Sequence, residues 1–320
     1  MKYPGSQTLK IFYISCIEKN DTFVINESIK VLEIKTSYSQ NQLRDYSSLF
    51  LRSEAKSWIK NDFTSINCKI KRYDEHWIRS TNLTYYDYLK HIYSILEKHY
   101  QNEYVLKNSF LTEWLIQELG QTNSKLYSEY RVGNAIADIT MFNGNSKAFE
   151  IKTEYDNDNR LKMQLENYLK AFNQIFLIVP ETKLHLYKKY DSEIGIITYK
   201  RTQHQKFTLY RNAINDIRID AETIMHILHT NEYKAIVKSY FGELPQMTSF
   251  NQFNICSGII KQIPKQDLNN LFIEQMKKRN FENALSSRYF KIFNQLSLAL
   301  KLKKSQLNKL IANIKTPLNV

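Results

Sequence analysis

The sequence predicts an α/β protein: a mixed sheet flanked by helices, with additional mainly helical regions toward the N- and C-terminus. Three observations predict it. Between residues 101 and 230, short extended segments alternate with stretches of helical apolar spacing, as in a layered α/β unit. Asn143-Gly144-Asn145 divides two of those extended segments with turn chemistry suited to a hairpin. From about residue 220 onward the apolar spacing is mainly helical.

Taken in order, residues 1–100 read as strands and then helices, with extended segments at 9–14, 22–25 and 30–34 and helices over 42–60 and 85–100. A helix over 106–119 is expected to stop at Gly120. Strands follow at 126–132, 136–142 and 146–153, then a helix over 159–172 and a buried-type strand at 175–179 ending at Pro180. A further helical stretch and a strand at 194–199 complete this unit. Asp220 is read as the cap of a helix over 221–229, and Asp267 as the cap of one over 268–278. The chain thus divides into a basic α+β region (1–100) suited to nucleic-acid or partner binding, a central core (101–230) and a basic helical region (231–320).

A chain of 320 residues, 42% hydrophobic and 13% aromatic, carries enough apolar surface for a real core. Its formal net charge of +13 suits a polyanionic partner. Arg52, Lys56 and Lys60 fall on one side of the first predicted helix. Aromatics Phe281, Tyr289, Phe290 and Phe293 are interleaved with basic residues near the C-terminus, a spacing that suits a core face as well as nucleic acid. Three distant cysteines (Cys16, Cys68 and Cys256) argue against a disulfide framework or a Cys-rich zinc site and fit a reducing cytoplasm. No apolar run approaches the roughly 18 residues of a membrane span, and the N-terminus lacks a usable signal segment, so no membrane partner is expected. Seven glycines, with no Walker loop, dinucleotide fingerprint or nucleophile elbow, exclude the common nucleotide and serine-hydrolase motifs.

The chemistry concentrates in Ala137-Asp138-Ile139 and Phe149-Glu150-Ile151-Lys152. Alternate residues of a strand share a face, so Glu150 and Lys152 project together. Whether Asp138 joins them depends on the turn. A two-residue loop pairs Asp138 with Phe149 on the wrong face, whereas a three-residue loop over Asn143–Asn145 pairs it with Glu150; the latter is expected. Two carboxylates can hold Mg²⁺ or Mn²⁺, which acidifies a water and steadies charge on a phosphate. A neighbouring lysine can orient that water or stabilise the transition state.

These residues resemble the PD-(D/E)xK nuclease superfamily, over roughly residues 107–200. Beyond Lys152 come Asp156, Arg160-Leu161 and Gln164-Leu165-Glu166-Asn167-Tyr168, and the Gln164/Tyr168 pair is similar to the accessory motif of the RecB-type subgroup. The same string is similar to uncharacterised bacterial proteins tied to mobile elements and defence. The resemblance implies a restriction-endonuclease-like fold and a Mg²⁺- or Mn²⁺-dependent nuclease, with DNA as the substrate such enzymes usually cut and a homodimer as a common state. It implies metal ligation by Asp138 and Glu150, assistance by Lys152, and positioning by Gln164 and Tyr168. A glutamate of the preceding helix often completes such a shell; Glu113 is the candidate, with Glu118 and Glu129 as competitors.

A second copy of the pattern lies upstream: Asp21, Glu33-Ile34-Lys35-Thr36, Gln42 and Tyr46. The later copy is preferred because a helix precedes Asp138 and a helix and two strands follow Lys152, consistent with one fold. His226 and His229, at i and i+3, are a weaker metal candidate without a third ligand. Two other functions stay open: a nuclease-fold protein that binds DNA without cutting, and a ribonuclease or tRNA-directed effector.

Overall fold

The computed structural model describes residues 38–76, 82–100, 102–119, 124–200, 206–280, 285 and 289–320. Residues 38–320 form one compact unit. The extended segments expected at 9–14, 22–25 and 30–34, the upstream motif from Asp21 to Thr36, Cys16, Gly120 and Phe281 lie outside the described residues.

Four helices open the unit: α1 (Gln40–Ser48), α2 (Arg52–Ile59), α3 (Thr64–Tyr73) and α4 (Tyr85–His99). The single helix expected over 42–60 is two. Leu49, Phe50 and Leu51 are consecutive apolar residues that one helical face cannot bury together. The chain bends there, Leu51 becomes extended, and Leu49 and Phe50 both turn inward. Helix α4 starts at a reciprocal Thr84/Asp87 capping box. Next comes α5 (Glu103–Ser109), capped by the Asn102 side chain on the Val105 amide at 2.9 Å. It continues as one turn of π-helix (Phe110–Leu115) and a short α6 (Ile116–Leu119).

The sheet has six strands in sequence order: β1 (Lys125–Val132), β2 (Ala135–Phe142), β3 (Ser146–Ile151), β4 (Gln174–Pro180), β5 (Gly195–Tyr199) and β6 (Phe207–Arg211). It is mixed. The first three strands are antiparallel neighbours, β3–β4–β5 run parallel, and β6 returns antiparallel. The parallel pairs require crossovers, supplied by α7 (Leu161–Tyr168) between β3 and β4 and by α8 (Leu184–Tyr187) between β4 and β5. Strand β6 escaped the sequence reading because only Phe207 is buried among its five residues, leaving little alternation to detect. β3 ends at Ile151, earlier than expected, because the Thr153 amide turns away to donate to Asp156.

The remaining helices are α9 (Ala221–Ile227), α10 (Thr230–Phe241), α11 (Gln252–Ile260), α12 (Lys265–Lys278), α13 (Asn294–Leu300) and α14 (Lys304–Ile314). Asp220 caps α9 as expected, accepting from the Thr223 amide at 2.8 Å. Asp267 does not cap α12: Pro264, whose fixed φ suits a helix entrance, precedes a helix that begins at Lys265, and Asp267 lies in its first turn.

Three cores result. One face of the sheet packs on α7 and α9–α12 around Phe142, Leu165, Leu177 and Phe272. The other packs on α5 and the π-turn around Phe110, Ile139, Phe149 and Ile178. The third joins α1–α4 to α13 and α14 around Trp58, Tyr88 and Phe293. Thus helices from before and after the sheet share one apolar interior. Among the described residues no helix is long and apolar enough to cross a membrane.

Candidate active site

The β2–β3 loop is three residues long, from Asn143 to Asn145, and the strands pair Ile139 with Phe149 and Phe142 with Ser146. Carried one step further, this register sets Asp138 opposite Glu150. The Ile151 amide donates to Asp138 Oδ2 at 2.7 Å, tying the two strands at this level. Asp138 and Glu150 therefore share a face, as the three-residue loop requires.

Glu150 is only 3% exposed, and its carboxylate is fully engaged. Oε1 accepts from Lys152 Nζ at 2.8 Å and from Gln164 Nε2 at 2.7 Å. The Tyr168 hydroxyl lies 2.8 Å from Oε2 and 2.8 Å from the Ile136 carbonyl. Gln164 also accepts from Lys152 Nζ at 3.2 Å. Gln164 and Tyr168 reach one carboxylate because i and i+4 lie on one side of a helix, and α7 is held against the sheet by Leu161, Leu165 and Tyr168. Burial, and then the Glu150 charge, push the Tyr168 hydroxyl far above the ordinary tyrosine range, so it is a donor here and never a phenolate.

Asp138 faces a different cation. Its Oδ1 lies 2.7 Å from Lys107 Nζ, on α5, and the same ammonium pairs with Glu103 one turn earlier. The Lys107 side chain is 5% exposed, whereas that of Glu103 is 66% exposed. Burial opposes the Lys107 charge, but Asp138 and Glu103 outweigh it and raise the ammonium above its usual range. Burial and the neighbouring Glu150 raise Asp138 to about 6, against the pull of Lys107.

Two hard carboxylates on adjacent strands, each already paired with one lysine, fit Mg²⁺ or Mn²⁺ in kind; Asp138 and Glu150 would hold it. Among the described residues, no group of three or more His, Cys, Asp or Glu comes together as a metal cluster.

Asp138, Glu150, Lys152, Gln164 and Tyr168 come together; Glu113 does not join them. It lies on the π-turn, six residues past Lys107 and on another side of the helix, exposed, with Lys206, Glu97 and Lys291 as its charged neighbours. Burial nevertheless raises its carboxyl. Glu118 is engaged by Lys147 at 2.7 Å and by the Trp114 indole at 3.0 Å. Glu129 sits on β1 at the register position opposite Asp138, but its left-handed backbone (φ 53°) accompanies a side chain paired with Arg52. Asp156 and Asp158 serve the turn before α7: Asp158 accepts from the Tyr190 hydroxyl at 2.9 Å. His226 and His229 share no helix, since α9 ends at Ile227 and His229 precedes α10.

Lys107 and Glu103 were missed by the sequence reading. Their signal was an i, i+4 Glu–Lys pair, which ordinarily marks a solvated helix face, and the predicted helix began at 106, leaving Glu103 out. Both line a cleft of about 530 Å³, together with Leu51, Arg52, Tyr104 and Glu129. Lys107, which pairs with Asp138, thus forms part of the wall of this solvent-open cleft.

Comparison with known proteins adds a family. Protein cII of Enterobacteria phage P4 is 24% identical over 134 residues, 41% of this chain. The match spans about half (51%) of that relative's length. Among solved structures, a protein of unknown function from Silicibacter pomeroyi is 12% identical over 43% of this chain and 92% of its own, with a TM-score of 0.28. The family described as bacteriophage P4 protein cII matches residues 96–311, a span running from the end of α4 through the sheet to α14. The chain belongs to the bacteriophage P4 protein cII family.

Proposed function

We propose that the chain is a metal-dependent nuclease with a restriction-endonuclease-like core, cutting phosphodiester bonds in nucleic acid, with DNA the expected polymer. The observation that carries this reading is the convergence of Gln164, Tyr168 and Lys152 on Glu150, with Asp138 opposite. Three polar side chains thus orient one carboxylate, more than burial of a single acid requires. A divalent ion, when bound, supplies a more acidic water and positive charge beside the phosphate. Lys152, held on Glu150, would orient the attacking water, while Gln164 and Tyr168 keep the Glu150 plane fixed. The net charge of +13 supports phosphate contacts, so binding should weaken steeply with salt. The phage origin of the similar protein is in keeping with an association with mobile elements.

A second reading, binding without cleavage, is favoured by one observation: each oxygen of Asp138 and Glu150 already has a protein donor. Incubation with plasmid, linear and single-stranded DNA and with RNA, in EDTA, Mg²⁺ or Mn²⁺, separates the two. Cleavage that needs metal, is lost in Asp138→Ala and Lys152→Ala and persists in Glu33→Ala is the expected result. Salt-sensitive binding with no cleavage of any polymer would favour the silent binder.

A further inference from the structure

We infer that Lys107 is a resident counter-ion that a divalent cation must displace, so that this lysine sets how readily the Asp138/Glu150 pair takes up metal. The inference rests on the nuclease reading for its purpose, but its evidence is separate. Lys107 is not part of the motif, comes from a different element, and touches Asp138 rather than Glu150. The two carboxylates are thus neutralised by different lysines: Lys152, just past the end of the strand that carries Glu150, and Lys107, on α5, paired with Asp138.

Three features make Lys107 the exchangeable one. First, it is held on the outer oxygen of Asp138, whereas Oδ2 is committed to the Ile151 amide and so to the sheet. Second, it has a partner on the way out. Glu103 is largely exposed at the cleft rim, so an ammonium that leaves Asp138 stays paired. Third, Lys107 and Glu103 both line a solvent-open cleft, so ions and water can approach this lysine. Lys152 is buried too, but its partners are Glu150 itself and Gln164, so it has no exposed carboxylate to follow outward as Lys107 has in Glu103. An unpaired buried carboxylate beside another is strongly unfavourable. The folded apoprotein therefore needs a cation on Asp138, and Lys107 supplies it, beside Lys152 on Glu150, until a divalent ion takes its place.

The test measures Mn²⁺ binding by electron paramagnetic resonance, and melting with and without Mn²⁺, in wild type, Lys107→Met, Lys107→Arg and Lys107→Met/Asp138→Asn. Lys107→Met should bind Mn²⁺ at least tenfold more tightly than wild type. Without metal it should melt on the order of 5–10 °C lower, and Mn²⁺ should restore most of that loss. Lys107→Arg keeps the charge and grips a carboxylate more firmly, so its Mn²⁺ affinity should fall severalfold. The double variant should regain stability and respond little to Mn²⁺. If Lys107→Met does not fold, the comparison of Lys107→Arg with wild type carries the test. Equal Mn²⁺ affinity in wild type and the Met variant, or in wild type and the Arg variant where only that folds, overturns the inference. Cleavage assays on the same proteins keep it apart from the nuclease reading. Tighter metal uptake with no cleavage by any variant leaves the exchange standing and removes the nuclease; metal-dependent cleavage with unchanged affinities does the reverse.

Discussion

Two buried carboxylates in this molecule are each met by a Gln-x-x-x-Tyr pair, and they differ in what surrounds them. In the helical region, Gln42 donates to the Tyr46 hydroxyl at 2.8 Å, and Tyr46 and Tyr88 donate to Asp74 Oδ2 at 2.8 and 2.7 Å. In the sheet, Gln164 and Tyr168 address Glu150 directly, one on each oxygen, and the fold adds Lys152, Asp138 and Lys107. Burial is the first cause raising Tyr46, Tyr88 and Tyr168 alike, with the adjacent carboxylate adding to it. The same local spacing therefore produces the same hydrogen-bonding device. A second carboxylate on β2, Lys107 from α5 and Lys152 beside Glu150 distinguish the sheet-borne pair, and the proposed nuclease reading rests on them.

The comparison is sharpest under truncation. Glu150→Ala should lower cleavage by at least about a thousandfold, read as initial rates on the preferred polymer. Asp74→Ala should leave the rate per folded molecule intact but strand two buried hydroxyls, destabilising the protein by roughly 2–4 kcal/mol in denaturant melts. A large rate effect at Asp74 would break the distinction.

A smaller effect concerns pH. Asp138 holds its proton to about 6 in the folded chain, above the unfolded value near 4. In that interval the folded state binds more protons than the unfolded one, so this group's contribution to stability is greatest below about pH 4 and declines as pH rises through about 6. Asp138→Asn should flatten this slope in melts taken from pH 4 to 7, whereas Tyr46→Phe should leave it unchanged. An unaltered slope in Asp138→Asn would show that other groups produce it.

The smallest contrast separates the two glutamines. Gln164 touches a carboxylate and a lysine, so Gln164→Ala should slow cleavage about tenfold. Gln42 touches a hydroxyl at the margin of its core, so Gln42→Ala should cost about 1 kcal/mol in stability and nothing in rate. Equal kinetic effects would make the two pairs functionally alike.

The sheet-borne part of this site was legible because its information is local. Alternation along β3 puts Glu150 with Lys152, the length of the Asn143–Asn145 loop decides the face of Asp138, and helical spacing joins Gln164 to Tyr168. The central strands were legible for the same reason: β2, β3 and β4 carry dense apolar runs bounded by turn residues or Pro180. What was not legible depends on distant packing. That α5 packs on β3 and reaches Asp138 through Lys107 cannot be read from Glu103 and Lys107, which look like any solvated helical pair. The π-turn at Phe110–Leu115 changes helical phase, and Glu113 ends up beside Lys206 and Glu97 instead of Asp138. The break between α1 and α2 was hidden because both halves keep helical periodicity and only the bend lets Leu49 and Phe50 face inward together.

The apolar interior shared by α1–α4 with α13 and α14 has a consequence for the order in which the molecule is made. Tyr104, on α5, donates to the Ile292 carbonyl 188 residues away, and the Asn108 side chain accepts from the Gln295 amide across 187. Val105, two positions before Lys107, belongs to the same interior. A ribosome must therefore synthesise the whole sheet and the helices behind it before α5 meets its last neighbours. Such long sequence separations slow the final collapse. The β2–β3 hairpin can pair early, but the helix that carries Lys107 gains its contacts with α13 last, so the surroundings of the charged centre are completed late in the life of the nascent chain.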